Sequence, residues 1–183
     1  PLINRNTTVI FEGKPIRTPD ASTFWRMINE HKVNVMFTAP TAIRAIKKED
    51  PNGDFIKQYD LSSLRTQFLA GERCDVATLE WYREHIPIPT IDHWWQTESG
   101  WPMISNMMGV EAPRIKPGSV GKSVCGFNIK IFGEDGSELK TNEEGYVVVQ
   151  LPLPPGTLLD LWQESQRFKA DYLNKFPGYY FSG

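Results

Sequence analysis

In the first half of the chain, short apolar runs alternate with segments whose apolar residues recur at helical spacing. Thr7-Thr8-Val9-Ile10-Phe11 is a β-branched run closed by Glu12-Gly13, and it reads as a strand. Asp20 is placed to cap a helix that carries Phe24, Met27, Ile28 and His31 on one face. Val33-Asn34-Val35-Met36-Phe37 is the next strand, and Pro40 suits the first turn of a helix running through Ile43 and Ile46. Thr66-Gln67-Phe68-Leu69-Ala70 follows as a strand, Asp75 caps a helix with Val76, Leu79 and Tyr82 on one side, and Thr90-Ile91-Asp92-His93 is a fourth strand. Strand and helix in alternation predict parallel pairing through right-handed crossovers.

After about Trp101 the pattern changes, with frequent Pro and Gly and strands that no helix separates. Phe127–Phe132 alternates strictly, Glu134-Asp135-Gly136-Ser137 has hairpin chemistry, and Tyr146–Val149 reads as the return strand. One further helix, with Phe168, Tyr172 and Phe176 on one side, leads to a last strand at Tyr179–Phe181. The expected fold class is α/β: a parallel sheet flanked by helices over 1–100, then a small antiparallel β-subdomain over 101–183, open or closed into a small barrel. In an open α/β sheet, ligands bind beyond the carboxyl ends of the strands. That rule selects three loops: Thr38-Ala39-Pro40-Thr41, Gly71-Glu72-Arg73, and Trp94-Trp95-Gln96-Thr97-Glu98.

Composition narrows the picture. A hydrophobic fraction of 40% and a charged fraction of 23% suit a folded domain, and a net charge of -2 without a basic cluster argues against nucleic acid as a partner. No apolar run reaches the length of a membrane helix, so no membrane partner is expected. Cys74 and Cys125 stand far apart in no metal-binding spacing and read as free thiols of a reducing compartment, the cytoplasm or equally a mitochondrial matrix. Neither end carries a recognisable start or targeting signal, and both are expected to continue into a longer protein. His31 and His85 are expected on helix surfaces, and Lys47-Lys48-Glu49-Asp50 as a solvated helix end.

The richest stretch is Asp92-His93-Trp94-Trp95-Gln96-Thr97-Glu98-Ser99-Gly100. Neighbouring residues of an extended segment point opposite ways, so one indole can fill the core while the other walls a pocket. Thr97 can donate to a phosphate oxygen, and Glu98 can ligate Mg²⁺ through oxygen. The same residues also allow a plainer reading, a capped strand end with core aromatics and a solvated glutamate. The residues alone leave both readings open.

Four blocks then carry a resemblance that spans essentially the whole chain. Phe37-Thr38-Ala39-Pro40-Thr41-Ala42-Ile43-Arg44, Ala70-Gly71-Glu72-Arg73, Asp92–Gly100 and Tyr180-Phe181-Ser182-Gly183 resemble, in order and spacing, the acetyl- and propionyl-CoA synthetases of the adenylate-forming superfamily. The Trp-Trp-Gln-Thr-Glu block is specific to the short-chain branch. The resemblance implies part of an adenylate-forming N-terminal domain, with ATP, Mg²⁺ and CoA as cosubstrates and a short carboxylic acid as the group activated. It implies that Gly71, Glu72 and Arg73 run along the adenine. Asp92, His93, Trp94, Trp95, Gln96 and Thr97 would line the adenosine and α-phosphate. Thr97 and Glu98 would serve catalysis, with Glu98 at the Mg²⁺, and Trp95 would floor the acyl pocket. Ala70 stands where acetate enzymes have Val, and Arg73 where they usually have Pro, a pattern closest to propionyl-CoA synthetases. His93 lies inside the key block at a position that varies in the family, and a packed ring is the expectation for it.

The resemblance further implies that a phosphate loop precedes these residues, that a ribose-binding Asp follows Gly183, and that a lid domain with a catalytic Lys lies beyond. The chain alone is therefore expected to be inactive. Three other readings compete: an acetate- or butyrate-specific enzyme, a non-catalytic adenylate-binding module, and a purely structural α/β domain.

Overall fold

The computed structural model describes residues 2–111 and 115–183. The chain forms two compact units, Pro1–Thr90 and Ile91–Gly183. Among the described residues no helix is long and apolar enough to cross a membrane.

In the first unit, α1 (Thr23–His31) precedes β1 (Val35–Thr38), α2 (Pro40–Glu49) follows, then β2 (Thr66–Leu69) and α3 (Val76–His85). Strand β3 (Thr90–Asp92), which begins at this unit's last residue, is third in the sheet order β1-β2-β3. β1 and β2 pair in parallel, Val35 opposite Thr66 and Thr38 opposite Leu69, so their carboxyl ends are level. The core of this unit gathers Phe24, Trp25 and Ile28 of α1, Ile43 and Ile46 of α2, Leu69 of β2, and Leu79, Trp81 and Tyr82 of α3. The helices form because their apolar residues recur every three or four positions and so share one buried stripe.

Several local expectations give way. Residues 7–11 form no strand; Thr7–Ile10 are exposed, and β-branched residues without a neighbouring edge to pair with gain nothing from extended backbone. Asp20 does not cap α1: its Oδ1 accepts the Ser22 N–H at 2.8 Å, making a turn ahead of the helix. The stripe of α1 includes the fully buried Trp25, while His31 is exposed. Asp50 is buried rather than solvated, because its carboxylate accepts the N–H groups of Asp54 at 2.7 Å and Phe55 at 2.9 Å and closes the loop after α2. His85 sets its ring edge-on to Trp81 at 5.1 Å. Gln67 of β2 is also fully buried; its Oε1 accepts the Tyr82 hydroxyl at 2.9 Å and its Nε2 donates to the Phe68 carbonyl at 2.8 Å.

Among the described residues of the second unit there are two small antiparallel sheets, and neither closes into a barrel. β4 (Ile104–Ser105) pairs with β5 (Lys122–Ser123), and β6 (Ile129–Phe132), β7 (Tyr146–Gln150) and β8 (Tyr179–Phe181) pair in that order. The turn chemistry at 134–137 acts as expected, with Asp135 Oδ1 accepting the Ser137 N–H at 3.0 Å and Gly136 at φ 78°. The chain then makes only a single bridge, Glu138 to Phe132, before a loop delays the return strand to Tyr146. Helix α4 (Ser165–Tyr172) stops short of Phe176, which packs instead with Phe132 and Val148.

Candidate active site

At the level ends of β1 and β2, the Ala70 N–H donates to the Thr38 carbonyl at 3.2 Å, so Ala70 extends the strand and is buried. Gly71 follows at φ 97°, a conformation L-residues avoid, and a Cβ there would meet no protein atom within 4 Å. The requirement for glycine is thus the turn itself, and the turn leaves open backbone.

Glu72 reaches back to the start of α2. Its Oε1 accepts the Thr41 N–H at 2.7 Å and the Thr41 hydroxyl, and its Oε2 accepts from Arg44 Nη2 at 2.6 Å. A carboxylate is favoured there, because the first turn of a helix presents unsatisfied N–H groups and the positive end of the helix dipole. The Thr41 hydroxyl first, then its N–H and the Arg44 guanidinium, hold the Glu72 carboxyl below the ordinary carboxylate range against a smaller opposing effect of burial. Arg44 Nη1 also meets Asp75 Oδ2 at 3.2 Å. Asp75 in turn caps α3 by accepting the Thr78 N–H and hydroxyl, both at 2.8 Å. Thr41 and Arg44 therefore tie the Gly71–Arg73 loop to two helix starts; Arg73 itself is exposed.

In the second unit, Asp92 and His93 are buried. Trp94 makes backbone bonds with the start of β4: its N–H donates to Ile104 O at 2.9 Å, and its carbonyl accepts from Met103 N at 2.9 Å. The Trp94 indole packs against the cluster of Met103, Phe127, Val149 and Tyr180, whereas Trp95 is 40% exposed. The next residues form a single tight turn, Thr97–Ser99. Ser99 Oγ accepts the Gln96 N–H at 3.0 Å and has the Trp101 carbonyl as acceptor at 2.9 Å. Gly100 closes the turn at φ 74°, where a Cβ would lie 2.8 Å from the Gly156 carbonyl oxygen.

The side chains of this turn are held by the chain's last helix and strand. Gln96 Oε1 accepts the Tyr180 hydroxyl at 3.0 Å, and Gln96 Nε2 donates to the Ser182 carbonyl at 2.6 Å. The amide keeps one further donor and one further acceptor position. Glu98 Oε1 accepts the Tyr172 hydroxyl at 3.1 Å, and the Glu98 carbonyl accepts the Leu158 N–H at 2.7 Å. The rings of Tyr172 and Tyr180 stack at 5.6 Å with 6° between their planes. Burial first, then the neighbouring Glu98 carboxylate, pushes both phenols above the ordinary tyrosine range, so both stay protonated and donate. Thr97 is exposed.

Sequence reasoning found the Gln96–Glu98 turn but not its two tyrosine partners. Tyr180 lay inside a recognised block and Tyr172 on an expected helix, eight positions apart, with nothing in either to reveal a shared carboxylate and amide 74 and 84 positions away in sequence. Among the described residues no group of three or more His, Cys, Asp or Glu is placed to hold a metal ion. The half-buried Glu98 has one oxygen engaged by Tyr172, and its other carboxylate oxygen is of the type that could hold Mg²⁺.

A parallel sheet with glycine-bearing and polar loops at its strand ends, followed by small antiparallel sheets, is the architecture of an adenylate-forming ligase. The fold aligns with the crystal structure of the anthranilate CoA ligase AuaEII in complex with anthranoyl-AMP at a TM-score of 0.77 and 27% identity, over 97% of this chain and 31% of that one. The chain belongs to the AMP-binding enzyme family, which it matches over residues 1–153. It is 49% identical over 181 residues to the human mitochondrial acyl-CoA synthetase short-chain family member 3, covering 98% of this chain and 26% of that protein. It is 38% identical over 177 residues to the propionate–CoA ligase of Salmonella typhimurium, covering 96% of this chain and 28% of the ligase. The chain therefore spans little more than a quarter of the length of these relatives.

Proposed function

We propose that the protein carrying this chain is an AMP-forming acid–CoA ligase for short carboxylic acids, with propionate preferred. The observation that carries the reading is the arrangement of the Trp94–Glu98 turn: one half-buried indole packed against the core, the next 40% exposed, and an amide and a carboxylate each hydrogen-bonded to a tyrosine. Its likeness to the propionate–CoA ligase supports the choice of acid.

In the first step a carboxylate oxygen attacks the α-phosphorus of ATP and pyrophosphate leaves. In the second the CoA thiol attacks the acyl carbon, AMP leaves, and the thiol proton is released. No general base is needed for the first step because the acid is already ionised. The work left to these residues is positioning and charge stabilisation. Thr97 donates its hydroxyl to a phosphate oxygen. The open backbone at Gly71–Arg73 lies along the adenine, with Glu72 turned back onto Thr41 and Arg44. Asp92, His93 and Gln96 shape the turn and supply its remaining polar contacts to the nucleotide. Mg²⁺, with Glu98 as its protein carboxylate, would neutralise charge on the phosphates. Trp95 limits the length of the acid, and Ala70 leaves room that a valine would take. The reaction belongs to the cytoplasm or a mitochondrial matrix, and this chain by itself is inactive.

The test is acid-dependent ATP–pyrophosphate exchange by the full-length protein with acetate, propionate and butyrate. Propionate is expected to give the highest kcat/KM. Ala70→Val is expected to shift the propionate-to-acetate ratio toward acetate by about 10-fold, the lower end of what one methylene in an apolar pocket is worth. Acetate preferred by the unchanged protein would replace the propionate reading with an acetate one. Tight binding of an acyl-AMP analogue with no exchange would make the protein an adenylate-binding module.

A further inference from the structure

The stacked pair Tyr172 and Tyr180 joins the two polar side chains of the Gln96–Glu98 turn to one rigid body. Tyr180 is buried on β8 and donates to Gln96 Oε1; Tyr172 lies at the end of α4 and donates to Glu98 Oε1. The rings lie 5.6 Å apart and nearly parallel, so each ring packs against the other. A free glutamate side chain loses rotamer freedom when it takes up one geometry. Here that loss is met when the chain folds, before any ligand arrives. The hydroxyl occupies one carboxylate oxygen and thereby fixes the direction of the other.

We infer that Tyr172 is a positioning residue for adenylation: its hydroxyl, braced by the stack on Tyr180, holds the Glu98 carboxylate in the one orientation from which its second oxygen meets the metal–nucleotide complex. The inference rests on the reading of Glu98 as the metal-side carboxylate. It assigns Tyr172 no contact with substrate. It also accounts for two hydroxyls that stacking does not require, since phenylalanines would stack equally well.

The experiment uses the full-length protein and the variants Tyr172→Phe, Glu98→Gln and the double variant. Tyr172→Phe keeps the ring and removes only the donor. Three quantities are read: the Mg²⁺ concentration for half-maximal ATP–pyrophosphate exchange, the calorimetric Kd for ATP with Mg²⁺, and the Kd for AMP without metal. Thermal unfolding checks that each variant folds. Tyr172→Phe is expected to raise the half-maximal Mg²⁺ concentration and the Mg²⁺–ATP Kd about 5- to 10-fold, in keeping with loss of a hydrogen bond to a partly exposed carboxylate. The AMP Kd and the KM for the acid stay unchanged. In the Glu98→Gln background, Tyr172→Phe adds less than about 2-fold, because the group it positions is already altered. If Glu98→Gln shifts the Mg²⁺ response and Tyr172→Phe does not, or if their effects multiply in full, the positioning role is overturned. If Glu98→Gln leaves the Mg²⁺ response where it was, the metal-side reading of Glu98 fails first, and this inference with it.

Discussion

Trp94 and Trp95 show how one residue type is put to two uses. They follow each other in extended backbone, so their side chains leave opposite faces of the segment. Trp94 packs on Met103, Phe127, Val149 and Tyr180, and Trp95 stays 40% exposed. The alternation is legible in the sequence; the choice of which indole turns inward is not. That choice follows from the backbone bonds of Trp94 to Met103 and Ile104, which lie in a segment read only as a Pro-containing stretch. Trp95→Gly is therefore expected to cost little stability, about 1 kcal/mol from backbone freedom and lost surface contact. The same change should let the full-length protein accept longer acids at the expense of propionate. Trp94→Gly should cost more, about 2–3 kcal/mol, as a large half-buried side chain packed against the core is deleted. Urea denaturation of both variants, with exchange assays on a series of acids, checks the pair. Unchanged acid selectivity in Trp95→Gly would leave that residue a surface aromatic and favour a purely structural role for the turn.

At the scale of elements, two helix starts are fastened by two carboxylates, Glu72 at α2 and Asp75 at α3. Asp75 was legible as a cap from its place before Val76, Leu79 and Tyr82, because a short carboxylate ahead of an apolar periodic run is a local signal. The fastening of α2 by Glu72 was not, since its partners Thr41 and Arg44 lie 31 and 28 positions away and meet it only once β1 and β2 align. Asp75→Ala is expected to destabilise the chain by about 1 kcal/mol, the usual cost of an N-cap. Acid should produce a related loss. The Thr78 hydroxyl and then its N–H hold Asp75 below the ordinary range, and the Thr41 hydroxyl holds Glu72 there. Near pH 4 the unfolded chain therefore binds more protons than the folded one at these positions. The stability they contribute is present above the unfolded carboxylate range and is lost as pH falls through their lowered folded values. Urea denaturation between pH 7 and pH 2 reads this as a decline that is shallower in Asp75→Ala. Parallel curves for the two proteins would mean that the Asp75 cap is not coupled to folding.

At the scale of the whole chain, the described residues of the first unit form one apolar cluster and those of the second form two, and the units are not equally legible in the sequence. The first unit's layers follow from strand–helix alternation, whose signals are local: periodicity, a proline at the start of α2, and a cap at α3. The misreadings there, the unpaired residues 7–11 and the buried Asp50, arise where a partner rather than a pattern decides the outcome. In the second unit the return of β6 into β7 is legible from its hairpin chemistry, but β8 meets β7 with Val148 opposite Phe181, and apolar alternation does not reveal that pairing. Phe176 was read onto a helix because its spacing from Phe168 and Tyr172 is helical, yet Phe132 and Val148 draw it into the sheet's core. The division into units carries its own prediction. Trp25 is fully buried in the core of the first unit, and Trp25→Ala removes one of the two tryptophan side chains there, at an expected cost of about 3–5 kcal/mol. Local stability is set by the contacts a segment makes, so the loss should be read first where those contacts are. Residue-resolved hydrogen exchange on the 183-residue chain is expected to show the amides of β1 and β2 losing protection by that amount, while those of β6 and β7 keep theirs. Equal losses in both places would mean that the cores melt in a single cooperative step, and that a substitution in either can silence the turn from Trp94 to Glu98 through stability alone.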